Sequence, residues 1–291
     1  MSEPLLRTVN LGKHYGGPRP ALIDLNLAIA PGEIFGLLGP NGSGKSTALR
    51  LMLGFMKPTS GSASIGGFDC WNESLEVRKR VAYLPGELRL YESMTGRQLL
   101  RFLDRLRHGQ HAGDRDALAR RFDIDLDRPL VQMSSGMKRK VALMSVLLPK
   151  VDLIILDEPT NTLDPVMRDE LLEQLKQLRD RGQTILFSSH VLAEVERICD
   201  RVGILQLGRL VHVQNMKEMH SRKVHVRFAE PPSERPAFAK LDGTSKQMDF
   251  EFEGDLTPLL QWLNRQKVED LKIEPVGLTP IYQRYHQMAE I

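Results

Sequence analysis

Residues Gly39 to Thr47 read Gly-Pro-Asn-Gly-Ser-Gly-Lys-Ser-Thr, and no other stretch limits the fold as much. The run satisfies G-x-x-x-x-G-K-[ST], the pattern of a loop that cradles phosphates. An apolar run of strand length, Glu33–Leu38, precedes it, and a helix-like run, Ala48–Leu53, follows it. Strand, loop and helix in that order are the context the motif needs, and they call for an α/β core. Gly39, Gly42 and Gly44, spaced by Pro40, Asn41 and Ser43, let backbone N–H groups turn inward and approach phosphate oxygens. The helix starting near Lys45 points its positive dipole end at the same oxygens. The Lys45 ammonium reaches for β- and γ-phosphates, Ser46 offers a hydroxyl to Mg2+, and Thr47 adds a phosphate contact.

Such a loop needs an acid to hold the metal and a group to activate water. Leu153–Leu156 is a continuous apolar run, the pattern of a central parallel strand buried on both faces. Asp157 and Glu158 end it. A charged pair there is costly unless it meets solvent or metal, and ligands in such sheets sit at the carboxyl ends of strands. Asp157 is therefore read as holding Mg2+ through water, and Glu158 as polarising the attacking water. Thr184–Ser189 is a second buried-type strand, ending at His190. That residue is placed to hydrogen-bond Glu158 and the water near the γ-phosphate.

A chain of 291 residues holds one large or two smaller domains. A net charge of +3 is too small to argue for nucleic acid. Cys70 and Cys199 match no metal or redox spacing and fit a reducing compartment. Met1-Ser2-Glu3-Pro4 does not read as a signal peptide. No apolar run approaches the roughly 18 residues needed to span a bilayer. Any membrane part is expected to come from another chain.

Together these residues resemble the ATP-binding subunit of an ABC transporter. Gly39–Thr47 resembles Walker A, and Leu153–Asp157 resembles Walker B followed by a catalytic glutamate, Glu158. Met133-Ser134-Ser135-Gly136-Met137 resembles the signature loop, Asn161-Thr162-Leu163-Asp164 the D-loop, and His190 the switch histidine. Tyr15 matches the aromatic that stacks on adenine. The motifs stand in family order from about Leu6 to Val211. The resemblance implies ATP and Mg2+ as cofactors. It implies that Ser134 and Gly136 of one copy complete the site built on Lys45 of another, with Asp164 lying across that interface. It further implies a separately encoded integral membrane permease as partner, and no nucleic acid. The ATPase is expected as a homodimer or paired with a different ATPase, cytoplasmic and peripheral on the inner membrane face. Export of a drug, antibiotic, lipid or polysaccharide is the expected direction. The alternative is a soluble ABC ATPase acting on nucleic acid or ribosomes. Translation-factor members carry two nucleotide domains and chromosome-type members a long coiled coil, and this chain has neither. A P-loop kinase would need an acceptor-binding segment and no signature.

Two motifs depart from the family pattern. In the signature, usually Leu-Ser-Gly-Gly-Gln, Met133, Ser135 and Met137 replace the first, third and fifth residues, while Ser134 and Gly136 are kept. The following Lys138-Arg139-Lys140 adds positive charge on the helix that starts there, although surface basic runs are usually just solvated. In Tyr83-Leu84-Pro85-Gly86-Glu87, the glutamine expected after proline is Gly86, which has no side chain for Mg2+ or water. Glu87 beside it is either a substitute oxygen ligand or a solvent-facing loop acid.

The expected fold is α/β: a P-loop NTPase core with a mixed sheet, an antiparallel β subdomain and an α-helical subdomain, then a small α+β C-terminal domain. The expected boundaries are 1–216 for the ATPase domain, with the helical subdomain at about 86–150, and 217–291 for the accessory domain. Leu5–Leu11 and Ala28–Leu38 read as strands. Glu73–Val81, Arg97–Arg107, Asp114–Phe122 and Arg168–Arg181 read as helices, with Leu99, Leu100, Leu103 and Leu106 as an inward stripe. In the tail, Val224, Val226 and Phe228 alternate with polar residues, as do Met248, Phe250 and Phe252, which marks half-buried strands. Leu256–Arg265 and Pro280–Met288 read as helices. Glu230–Ser233 and Asp242–Ser245 read as turns.

Overall fold

The computed structural model describes residues 3–107, 114–219, 221–232 and 246–287. The chain divides into two compact units, Met1–Gln214 and Asn215–Ile291.

The first unit carries two sheets. Strands β1 (Leu6–Lys13), β2 (Leu22–Ile29), β4 (Ser60–Ile65) and β5 (Phe68–Asp69) form an antiparallel sheet in the order β2-β1-β4-β5. The second sheet holds β3 (Ile34–Leu38), β6 (Val81–Leu84), β7 (Leu153–Asp157), β8 (Thr184–Ser189), β9 (Arg201–Gln206) and β10 (Arg209–Asn215), in the order β10-β9-β3-β8-β7-β6. Strands β9, β3, β8, β7 and β6 run parallel. Every residue of β3, β7 and β8 is buried, as strands covered on both faces require.

Helix α1 (Lys45–Met52) knits the two sheets together. Its Ala48, Leu49, Leu51 and Met52 share one core with Leu6, Leu25 and Ile29 of the antiparallel sheet and with Phe35, Leu37, Ile155 and Leu186 of the other. Each such large side chain stabilises the fold by about 1.5–3 kcal/mol. The loop ahead of α1 is thereby fixed to both layers. The remaining helices of this unit are α2 (Ser74–Arg80), α3 (Gly96–Leu106), α4 (Arg115–Arg121), α5 (Ser135–Leu147), α6 (Pro165–Asp180) and α7 (Leu192–Ile198). Side-chain caps start four of them. Thr95 and Gln98 form a capping box at α3, and Asp114, Ser134 and Asp164 cap α4, α5 and α6.

Two sequence expectations are corrected here. Ala28–Leu38 is not one strand. Pro31-Gly32 makes a turn, with Gly32 at φ 75°, so β2 ends at Ile29 in one sheet and β3 begins at Ile34 in the other. The leucine stripe of α3 is inward only at first. Leu99 and Leu100 are buried, but Leu106 is 62% exposed, because the last turn of the helix runs past the core.

The second unit has its own core. Strands β11 (Arg222–Phe228), β12 (Gln247–Phe252) and β13 (Val268–Pro275) make an antiparallel sheet in the order β12-β11-β13. Helix α8 (Thr257–Leu263) lays Leu259, Trp262 and Leu263 on Val224, Val226, Phe228, Met248, Phe250 and Phe252. Trp262 meets Phe228 and Phe250 edge to face, at 5.7 and 6.3 Å between ring centroids. Helix α9 (Thr279–Gln287) follows. Ser233, the Asp242–Ser245 turn and Met288 lie outside the described residues. No described helix is long and apolar enough to cross a membrane.

Candidate active site

The loop between β3 and α1 turns on Gly44, at φ 107°. A Cβ there would lie 2.6 Å from the Ala21 carbonyl oxygen, so only glycine fits. Lys45 opens the helix and is 6% exposed. Its Nζ donates to the Gly39 carbonyl at 2.6 Å and the Pro40 carbonyl at 3.2 Å. Glu158 Oε1 stands 3.6 Å away.

The carboxyl end of β7 supplies the acids. Asp157 is buried; its Oδ1 accepts from Ser188 Oγ at 2.6 Å and its Oδ2 from Ser46 Oγ at 3.3 Å. Glu158 adopts φ 48°, an uncommon left-handed conformation for a glutamate. Its N–H donates to the Ser188 carbonyl at 3.1 Å. Its Oε2 is 2.7 Å from His190 Nδ1, while Oε1 is buried and makes no hydrogen bond among the described residues. Because β7 and β8 are parallel neighbours, Asp157 and Ser188 are register partners, and His190 follows just beyond. The sheet itself therefore brings acid and histidine together.

A cavity of about 790 Å³ opens in front of these groups. Pro40, Asn41, Gly42, Gly44, Lys45, Ser46 and Thr47 line one side, and Asp157, Glu158 and Asn161 another. Tyr83 of β6, with Gly86, Glu87 and Arg89 beyond that strand, lines a further edge. Burial, with Asp157 adding to it, pushes the Tyr83 phenol up to about 12, so it remains a neutral hydrogen-bond group. The donor set suits a hard cation held partly by substrate. Ser46 and Asp157 present two oxygens side by side, which matches the way Mg2+ takes one or two protein oxygens and fills its shell with water and phosphate. No cluster of three or more His, Cys, Asp or Glu forms an all-protein metal site among the described residues. A buried ammonium, a helix start and an acid pair around one cavity favour phosphate chemistry.

Comparison with known proteins decides which phosphate chemistry. Residues 22–161 match the family model of the ABC transporter. The linearmycin resistance ATP-binding protein LnrL of Bacillus subtilis (strain 168) is 34% identical over 224 residues, covering 75% of this chain and 71% of that protein. The chain belongs to the ABC transporter ATP-binding family. The bacitracin transport ATP-binding protein BcrA of Enterococcus faecalis is 31% identical over 263 residues, 85% of each chain. A solved ATP-binding subunit of an ABC transporter superposes with a TM-score of 0.67 at 32% identity, covering 74% of this chain and 92% of that one. The chain is thus an ABC-type ATPase that binds ATP.

The ABC motifs occupy different places around the cavity. Walker A residues, Asp157 and Glu158 line it, with His190 bonded to Glu158; Ser134, Gly136, Asp164 and Tyr15 are not among its lining residues. Ser134 caps α5, its Oγ accepting from the Met137 N–H at 3.3 Å. Gly136 faces the D-loop, where a Cβ would meet the Thr162 carbonyl oxygen at 3.1 Å. Asp164 caps α6, accepting from the Met167 N–H at 2.8 Å. Tyr15 is 57% exposed, with its hydroxyl on Met56 Sδ at 3.0 Å.

Three site residues escaped the sequence reading. Ser188 holds Asp157. Glu194 of α7 is buried and accepts from Thr160 Oγ1 at 2.9 Å and Ser189 Oγ at 3.1 Å, joining the segments after β7 and β8. Arg139, read as part of a solvated basic run, is instead 2% exposed, and burial pushes its guanidinium down to about 10. Helical spacing carried the signal, since Arg139 shares a face with Ala142, Leu143 and Val146.

Proposed function

We propose that the chain drives an exporter-type ABC transporter by closing head to tail on a second ATPase copy, with ATP between them. The observation that carries this reading is the division of the motifs: Lys45, Ser46, Asp157 and Glu158 line the cavity, while Ser134 and Gly136 are not among its lining residues. A signature outside its own cavity is suited to reach the cavity of a partner. On this reading residues 1–216 are the ATPase domain, with the helical subdomain at about 86–150, and residues 217–291 are an accessory domain. The partner is a separately encoded integral membrane permease, and the ATPase sits on the cytoplasmic face of the membrane through it. The relatives named for linearmycin resistance and bacitracin transport support an antibiotic-like cargo and export. They lend nothing to a role on nucleic acid.

Ser46 and Asp157 would hold Mg2+, which would supply charge neutralisation of the phosphates when bound. Loop amides and Lys45 fix the β- and γ-phosphates in place. Glu158 then takes a proton from the attacking water. His190, with Nδ1 at 2.7 Å from Oε2, holds that carboxylate in position. Ser134 and Gly136 of the partner grip the same phosphate, so its loss removes what stabilises the closed state.

Light scattering of the Glu158→Gln chain tests the reading. Mg-ATP is expected to shift its mass from monomer to dimer. A monomer that binds ATP would show that identical copies do not close on each other.

A second experiment concerns the missing glutamine. A Cβ at Gly86 would lie 3.6 Å from Asp157 Oδ2, an ordinary contact. Gly86→Gln is therefore expected to change stability by no more than about 0.5 kcal/mol and to lower the Mg2+ concentration for half-maximal hydrolysis. Glu87→Ala is expected to spare ATP binding and raise that concentration. An Mg2+ titration that Glu87→Ala leaves unchanged makes Glu87 a solvent-facing acid.

A further inference from the structure

Arg139 is the largest fully buried side chain among the described residues. A guanidinium carries five N–H donors in a rigid fork, and here five main-chain carbonyls accept from it. Nε donates to Pro159 O at 3.1 Å. Nη1 donates to Pro85 O at 2.9 Å and Gly86 O at 3.1 Å. Nη2 donates to Asp157 O at 3.1 Å and to Glu158 O. Its hydrogen bonds go to carbonyls, while the Asp157 and Glu158 carboxylates favour its charge from further away. Burying a cation this way is costly, and an apolar side chain would serve packing alone better.

The carbonyls it chooses fall on two segments. Three belong to Asp157, Glu158 and Pro159, so they bracket the residue at φ 48°. A left-handed conformation is unfavourable for a non-glycine residue and persists where its surroundings over-determine it. That conformation carries the Glu158 carboxylate to His190 and Lys45. The other two carbonyls belong to Pro85 and Gly86, the segment in which the side chain expected to reach the metal is missing.

We propose that Arg139 is a positioning residue: it locks Glu158 in its left-handed conformation and ties it to both the signature helix α5 and the Pro85–Gly86 segment. The tie runs through main-chain carbonyls, in place of a side chain at position 86. A shift of α5 or of that segment is then passed to the carboxylate that activates water. The proposal rests on the ATPase reading given above.

The test uses the full chain and compares wild type with Arg139→Met, Arg139→Gln and Arg139→Lys. The measurements are Mg-ATP affinity with a fluorescent ATP analogue, kcat and KM of hydrolysis, and Tm, with rates taken well below every Tm. Arg139→Met is expected to bind ATP within about threefold of wild type and to lose about 10²-fold in kcat with KM little changed. Gln and Lys, with two and three donors, are expected to recover part of the loss. A residue that only supports the fold would lower Tm and leave kcat alone; a Met variant with kcat within about twofold of wild type therefore overturns the proposal. Should the Met chain not fold, the Gln chain is held to the same criterion. A wild-type chain that binds no ATP overturns the ATPase reading and this proposal with it. An active wild type beside an equally active Met variant overturns this proposal alone.

Discussion

Lys45→Ala is expected to remove tight ATP binding. The ammonium is almost fully buried, held over the loop by two carbonyls, and faces the unbonded Oε1 of Glu158 at 3.6 Å. Its loss acts twice. The phosphates lose their one cation from the loop, and the Glu158 carboxylate is left beside them with no positive neighbour at that oxygen. Truncating one partner of a buried charge pair across a binding interface costs about 2–5 kcal/mol, or roughly 1.5 to 3.5 orders of magnitude in Kd. Calorimetric titration with Mg-ATP measures it directly. Wild-type affinity in the alanine chain would remove Lys45 from the site.

Glu158→Gln is expected to leave binding intact and slow hydrolysis by about 10²–10⁴-fold, the range of a lost general base. Glutamine has the same shape, and its amide still reaches His190, but it does not take a proton from water. The loss falls in kcat with KM little changed, because only the transition state is affected. Single-turnover hydrolysis of labelled ATP separates the two. A rate within a few-fold of wild type would make some other group the base and return Glu158 to a purely structural place beside Lys45.

The parts of the site that lie along a single segment were legible in the sequence. Gly39–Thr47 specifies its own strand-loop-helix context, and the apolar run Leu153–Leu156 explains why Asp157 and Glu158 emerge at a strand end. The tail strands were legible for the same reason, since Val224, Val226 and Phe228 alternate with polar residues, as do Met248, Phe250 and Phe252; the structure pairs Val224 with Phe250 and Val226 with Met248. What escaped depends on which segments meet. Lys138-Arg139-Lys140 has the composition of a wet surface, and only the packing of α5 against the ends of β6 and β7 buries its middle residue. Leu106 has the right spacing for a core yet lies beyond the core's edge. Ala28–Leu38 has strand composition throughout, and the Pro31-Gly32 pair outweighs it. Glu194 looks like any acid on a short helix until Thr160 and Ser189 fold against it.

The shared packing of α1 has a genetic corollary. The helix whose first turn holds Lys45 and Ser46 is wedged by Leu49 and Met52 against residues from both sheets. A cavity-forming change in that wedge tilts the helix, and with it the phosphate loop. Lesions at apolar positions that never touch the nucleotide will therefore mimic nucleotide-site lesions, and second-site suppressors of them should map to the opposite sheet.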